Sequence, residues 1–441
     1  MVKKSKFLLF LTLPLLSLTT LSGCAGGSET ITAWTFSSEL KEIADNYYLK
    51  DTGKKVKVVI KSTVTQVQSD LDNALRSGKN IPDIVALEAA VIADFTSKKA
   101  DQSKLVTLDD IPGTEDMYQY TKDVATSTDG KLLGLSWQAT PGGFFYKKSI
   151  AAKLGINSVS EMEEAISSWD NYLALAKRCK EYDLDTSKAG VQSIAICSSI
   201  TDPVKVFLSE RTNSWVENNT LQMEEVMFGP NEGNSNCLDV VRDLHQLGYT
   251  HESSDRGPMW FTDIDSNNTL GYFCSSWGLN FDLMPNAKTS KGDWQMCRAP
   301  HDYFKGGTWL SIPQGSKNVS AAKEFISYVT TNKTFLKNRG LVTGDFLNSK
   351  QVMQELATTY SCDFLGGQNH LAILYEVANN IDGKLISPFD ATIDSAFTTI
   401  VAEYAKAECE DQEELEEARE TAKDNFIVKV RSKFPTINSP E

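Results

Sequence analysis

From residue 31 onward the chain alternates short apolar stretches of strand character with segments of helical period, and this alternation narrows its possible folds more than any other feature. Residues 31–36 form an apolar stretch containing Trp34 and Phe36. Ser37 or Ser38 can cap a helix running through Lys50, with Leu40, Ile43, Ala44 and Tyr47 on one face; a capping oxygen satisfies amides that the first helical turn leaves unpaired. Gly53 can end it, and 56–60 reads as the next strand. The pattern repeats with a helix over 67–76 stopped by Gly78, a strand over 83–87 and a helix over 90–98. Such alternation implies an α/β fold with mostly parallel sheets covered by helices on both faces. Residues 134–138 and 144–147 flank Ala139-Thr140-Pro141-Gly142-Gly143, where a proline and two glycines mark a bend and a candidate crossover between two lobes. Further on, Ser160 is expected to cap a helix over 161–168, followed by a helix over 169–181 and a strand over 191–196. Gly306-Gly307 precedes a strand over 308–312, Ser320 starts a helix over 321–330, and 408–423 reads as a charged, solvated helix.

The first 24 residues hold Lys3, Lys4 and Lys6, an apolar run over 7–21, and Leu21-Ser22-Gly23-Cys24. A basic start, a hydrophobic run of about 15 residues and small residues before a cut are the parts of a secretion signal, and the run is short for a membrane span. Leu-Ser-Gly-Cys resembles the lipobox of bacterial lipoproteins, which implies that Cys24 takes lipid and becomes the mature N-terminus. The expected organisation is a signal peptide at 1–23, a tether at 24–29 and a folded part from residue 30. Ordinary secretion with cleavage nearby is the alternative.

Loss of the signal leaves 418 residues and takes the net charge from −14 to −17, because residues 1–23 carry three lysines and no acid. That surface argues against nucleic acid and against an anionic lipid face as partners. The length suits two domains. Seven cysteines follow Cys24 without a C-x-x-C pair, so neither zinc nor a redox centre is expected. Their number is odd, and mostly free thiols are expected, although up to three disulfides could form in an exported chain. No zincin, nucleophile-elbow, P-loop or dinucleotide motif occurs, and His245, His251, His301 and His370 lie far apart. No catalytic, cofactor or metal site is therefore expected; only a carboxylate pair for glycoside hydrolysis stays open among the 58 acids.

Tryptophans recur where expected strands give way to loops: Trp34, Trp137, Trp260, Trp277, Trp294 and Trp309. In open α/β sheets ligands sit beyond the carboxyl ends of strands. Sugar C–H faces stack on indoles, and sugar hydroxyls need carboxylates and amides. For any single tryptophan, a place in the core is the competing reading.

Several short motifs follow one another in order: Leu75-Arg76-Ser77-Gly78 before Ile81-Pro82-Asp83-Ile84-Val85, Gly130-Lys131-Leu132-Leu133-Gly134 before Phe144-Phe145-Tyr146-Lys147-Lys148, Gly306-Gly307-Thr308-Trp309 before Ala321-Ala322-Lys323-Glu324-Phe325-Ile326, and Phe364-Leu365-Gly366-Gly367-Gln368. Their order and spacing resemble the extracellular solute-binding proteins of bacterial ABC importers, specifically the carbohydrate-binding family 1 that includes the maltose binder. The resemblance implies a two-lobed, type II periplasmic-binding-protein fold with lobes at 30–138 plus 307–345 and at 139–306 plus 346–441, joined by crossover hinge segments. It also implies an inter-lobe sugar site. Trp34, Glu88, Thr140, Gly143, Trp277, Trp309 and Phe364 are carried over as ligand contacts, with Glu39 and Tyr303 as neighbours; Gly142 and Gly143 would let backbone approach the ligand. Where the maltose binder has a tryptophan after Asp83, this chain has Leu87 and Glu88, so the particular sugar does not transfer.

The expected protein is thus a monomeric receptor, lipid-anchored through acylated Cys24 on the outer face of a single-membrane (Gram-positive) cell. It would pass an oligosaccharide to separate permease subunits without covalent chemistry. A polyamine or peptide receptor, a secreted glycan-active enzyme and a sugar sensor are the other readings.

Overall fold

The structure, a computed structural model, describes residues 30–182, 193–229 and 235–440. The signal, the tether and Cys24 lie outside the described residues, as does the start of the strand expected over 191–196.

The described strands are β1 (Ile31–Thr35), β2 (Val56–Ile60), β3 (Ile84–Glu88), β4 (Leu135–Ser136), β5 (Gly142–Lys147), β6 (Val216–Glu217), β7 (Thr220–Leu221), β8 (Gly271–Ser275), β9 (Trp294–Cys297) and β10 (Thr308–Ser311). A first sheet has the order β2-β1-β3-β10-β4, with β1 parallel to β2 and β3 and β10 antiparallel to β3 and β4. A second sheet, β8-β5-β9, is antiparallel throughout, so the expectation of a mostly parallel sheet in each lobe fails there. Gly142 faces Ser275 and Phe144 faces Cys297: β5 runs away from the inter-lobe crossing, whereas β8 and β9 run back to it. In place of a strand over 191–196, Ala195 and Cys197 make isolated parallel bridges to Thr269 and Thr250.

Local capping explains several boundaries. Gly53 and Gly78 end their helices with φ of 70° and 65°, left-handed values that carry no Cβ penalty in glycine. Ser158, not Ser160, caps helix Val159–Ala165; its side chain accepts from the Glu161 amide while Glu161 accepts from the Asn157 amide. The C-terminal helix is Gln412–Lys433 rather than 408–423, capped by Asp411, and it is not solvated throughout, because Ala422, Phe426 and Val430 form an i, i+4 stripe that packs inward.

Period-two alternation sorts β5 between two cores. Phe145 joins the core that contains Ala33, Ile84 and Leu310, while Phe144 and Tyr146 join that of Trp169, Phe273 and Phe426. The sheets are linked by three neighbouring chain segments: Gln138 bridges Leu347, Pro141 bridges Phe304, and the Gly142 amide donates to the Tyr303 carbonyl at 2.8 Å.

Among the described residues all seven cysteines are unpaired, six of them buried and Cys409 half-buried. Burial holds the Cys179 thiol up at about 12 and disfavours the reactive thiolate. A thiol reagent should therefore modify Cys409 rapidly in the native domain and the other six only after denaturation. A denatured total below seven would instead reveal disulfides.

Candidate functional site

A cavity of about 290 Å³ opens between the lobes. Its first-lobe wall is Glu88, Ala89 and Ala90; the crossing segment Phe304, Lys305 and Gly306 adjoins it; Lys205, Arg211, Asp390 and Asp394 lie opposite. Glu88 ends β3 and caps helix Ala89–Thr96, Oε2 accepting from the Ala90 amide at 2.9 Å. Burial raises its carboxyl pKa. Arg211 follows helix Val204–Glu210, and Asp390 and Asp394 lie one turn apart on helix Asp390–Tyr404. Arg211 Nη2 donates to Asp390 Oδ2 at 3.3 Å and Nε donates to the Leu208 carbonyl at 2.9 Å. Burial pushes Asp390 up to about 6, with Asp394 adding and Arg211 opposing.

Trp277 follows β8, half-buried, its Nε1 donating to the Lys305 carbonyl at 2.9 Å. A Cβ on Gly306 would stand 3.2 Å from that nitrogen, so the indole adjoins the segment that walls the cavity. The Arg256 guanidinium lies 5.0 Å from the ring centre. Gly306 and Gly307 have φ of 74° and 104°, left-handed values that favour glycine. Trp34, half-buried on β1, has the Lys61 amine 4.3 Å over its ring.

The other residues named from sequence occupy different places. Trp309 is 1% exposed and its Nε1 donates to the Thr121 carbonyl at 2.8 Å, so the ring has no face for a ligand. Tyr303 is fully buried, its hydroxyl donating to the Gly143 carbonyl at 3.1 Å. Phe364 stacks on Trp294 with ring centres 6.2 Å apart, inside the core. Trp137, Trp260 and Trp294 are buried as well. Glycine at 143 is required by packing, since a Cβ would meet the Cys297 carbonyl oxygen at 2.6 Å, and at 142 it would meet Tyr303 Cζ at 2.2 Å. Ligand approach is not what excludes a side chain at either position. Thr140 is buried in the crossing with φ of 51°, a strained value for a β-branched residue.

Glu39 faces the hinge rather than the cavity. Oε1 accepts from Trp137 Nε1 and from Arg339 Nη2, both at 3.2 Å, and Oε2 accepts from Gln138 Nε2 at 3.1 Å. Gln138 Nε2 also donates to Asp345 Oδ2 at 2.8 Å, and Ser276 Oγ donates to Asp345 Oδ1 at 2.6 Å. Burial first, then Asp345, raises Glu39 to about 7.

Sequence reasoning missed Arg211, Asp390, Asp394, Lys205 and Lys305. Only the i, i+4 spacing of Asp390 and Asp394 was available as a signal; Arg211 and Asp390 are 179 positions apart.

The bacterial extracellular solute-binding protein family matches residues 43–352, and the chain belongs to that family. It is 21% identical over 412 residues to the arabinooligosaccharide-binding protein of Bacillus subtilis, covering 85% of this chain and 88% of the relative. A crystal structure of an extracellular solute-binding protein of family 1 superposes with a TM-score of 0.72 at 19% identity, covering 90% of this chain and 99% of the other. The ABC-transporter-associated binding protein of B. animalis subsp. lactis, solved with β-1,6-galactobiose, gives 0.68 at 22% identity, covering 93% and 99%.

Proposed function

We propose that the protein captures an oligosaccharide between its lobes, 30–138 with 307–345 and 139–306 with 346–441, and delivers it to the permease of an ABC importer. The observation that carries this reading is the inter-lobe cavity, whose carboxylates, guanidinium and ammonium come from both sides and from a crossing segment. A ligand touching all three walls favours the closed arrangement by its differential contacts, which is how a permease could read occupancy. The sugars held by relatives support the substrate class. Trp277 and Glu88 are the ligand contacts retained from the sequence-derived set; Trp34 is not among the residues that line the cavity, and Thr140 shapes the crossing. The protein performs no covalent chemistry in this reading. Residues 1–23 would direct export and acylated Cys24 would hold a monomer on the outer face of a single-membrane cell.

The test is a melting scan of residues 30–441 against arabino-oligosaccharides, β-1,6-galactobiose and maltopentaose, with polyamines and peptides alongside. A ligand at 100 times its Kd should stabilise the fold by about 2.7 kcal/mol. A shift with a polyamine or peptide and with none of the sugars would overturn the substrate class.

A further inference from the structure

Phe281 is 45% exposed, and among the described residues no other phenylalanine, tyrosine or tryptophan is so open to water. A lone apolar residue at the surface needs no explanation, but this one stands beside the indole that adjoins the cavity. Trp277 and Phe281 are four residues apart in one helical run, which begins at Ser276, continues over Leu279–Leu283 and ends at Asn286. Side chains one turn apart share a helix face, separated by roughly 5 Å along the axis. Leu279 and Leu283 of the same run are fully buried in the core, so the face that carries Trp277 and Phe281 is the one turned outward.

The indole is set in place before any ligand arrives. Its Nε1 is held by the Lys305 carbonyl, and the guanidinium beside its ring belongs to Arg256, which ion-pairs with Asp282 Oδ1 at 2.8 Å. The Asp282 side chain is 4% exposed and that of Arg256 43%, so a buried acid anchors a cation that reaches out to the ring. Fixing a contact in its bound position lowers the entropy that binding must remove. At about 290 Å³ the cavity itself is at the small end of the roughly 300–1,000 Å³ usual for ligand sites. It holds a ring or two of a sugar and not a longer chain. Lys305 and Gly306 wall it on the side of Trp277, so a chain that leaves there passes the indole first and Phe281 next.

We infer that Phe281 sets the chain length this receptor prefers: the cavity takes one end of an oligosaccharide, Trp277 stacks the ring that emerges, and Phe281 stacks the ring after it. This rests on the sugar-receptor reading. A helical turn between the two aromatics matches the step that one ring adds to a sugar chain, and each ring offers a C–H face to an aromatic plane.

Calorimetric titration of the protein and its Phe281→Ala and Phe281→Tyr variants tests it, with arabino-, β-1,6-galacto- and malto-oligosaccharides of two and four rings as probes. In the series that binds, the wild type should hold four rings about tenfold more tightly than two. Phe281→Ala should lose most of that gain and keep its two-ring affinity within about twofold, whereas Phe281→Tyr, which retains the ring, should keep the gain. Should Phe281→Ala fail to fold, Phe281→Gln and the length series on the wild type still decide. Equal affinity for two and four rings in the wild type, an undiminished gain in Phe281→Ala, or a loss that is the same at both lengths overturns this inference while leaving a receptor; the undiminished gain would assign the exposed ring to a protein partner. Failure of every sugar to bind the wild type would bring down the sugar-receptor reading itself, and this inference with it.

Discussion

Trp309→Ala should lower the folding stability of the domain by about 3–5 kcal/mol, the usual cost of emptying a buried tryptophan site. Trp277→Ala should leave the unliganded melting temperature within a few degrees and remove the response to sugar. The two indoles look equivalent in sequence, since each follows small residues beside an apolar stretch. Their surroundings differ. Trp309 sits in β10 between β3 and β4, opposite Leu87 and Ser136, and its N–H is paired inside the first lobe. Truncation leaves a cavity and an orphaned Thr121 carbonyl. Trp277 is half in solvent, bound at its edge to the Lys305 carbonyl, with one cation near its ring. Truncation there removes a platform beside the cavity and opens no core. Urea titrations of both variants, with and without ligand, measure the difference. A Trp277→Ala variant that keeps its sugar response would remove that indole from the site, and a Trp309→Ala variant of near wild-type stability would contradict its place in the core.

That contrast marks how far the sequence was legible. Periodicity and punctuation located β1, β2, β3 and the helices between them, because Gly53, Gly78 and the apolar runs act within a few residues of where they stand. Strand direction in the second sheet was not legible: it depends on which end of the lobe each connection returns to, and β5 and β8 are separated by a long, mainly helical excursion. The tryptophans show the same limit. An indole at a strand end can point into the sheet's core or past its edge, and a single residue of register decides which. Trp277 came out beside the cavity, whereas Trp309, Trp294 and Trp260 went inside. Arg211 and Asp390 carry no local motif at all, so their pairing becomes visible only when the second lobe is assembled.

Arg339→Met should destabilise the protein by about 3–5 kcal/mol near neutral pH, because it strips the cation from a buried carboxylate cluster. Arg339 Nη1 donates to Glu42 at 2.7 Å and Nη2 to Glu39 at 3.2 Å; Glu39 shares Gln138 with Asp345, and Asp345 reaches Ser276 at the end of β8. The cluster thus ties both lobes and two crossing segments together. Burial raises both carboxyl groups, and the Asp345 charge adds to burial in raising Glu39 to about 7. For an acid whose folded pKa lies above its unfolded value, the stabilising contribution is complete below the unfolded pKa and fades as pH rises through the folded one. Glu39 therefore favours folding most below its ordinary value of 4.5 and loses that contribution as pH rises through 7. Removing Arg339 drives the carboxyl higher still, so Arg339→Met should recover part of its loss when the pH is lowered to about 5. Glu39→Gln acts oppositely: it relieves the repulsion with Asp345, leaves Arg339 paired to Glu42, and keeps an oxygen for the Trp137 or Gln138 donors. Its cost at neutral pH should stay within about 1 kcal/mol, and it should flatten the dependence of stability on pH. Urea unfolding of the three proteins at both pH values separates these effects. An Arg339→Met variant as stable as the wild type at neutral pH, or one that gains nothing on acidification, would mean that the hinge holds without its buried cation.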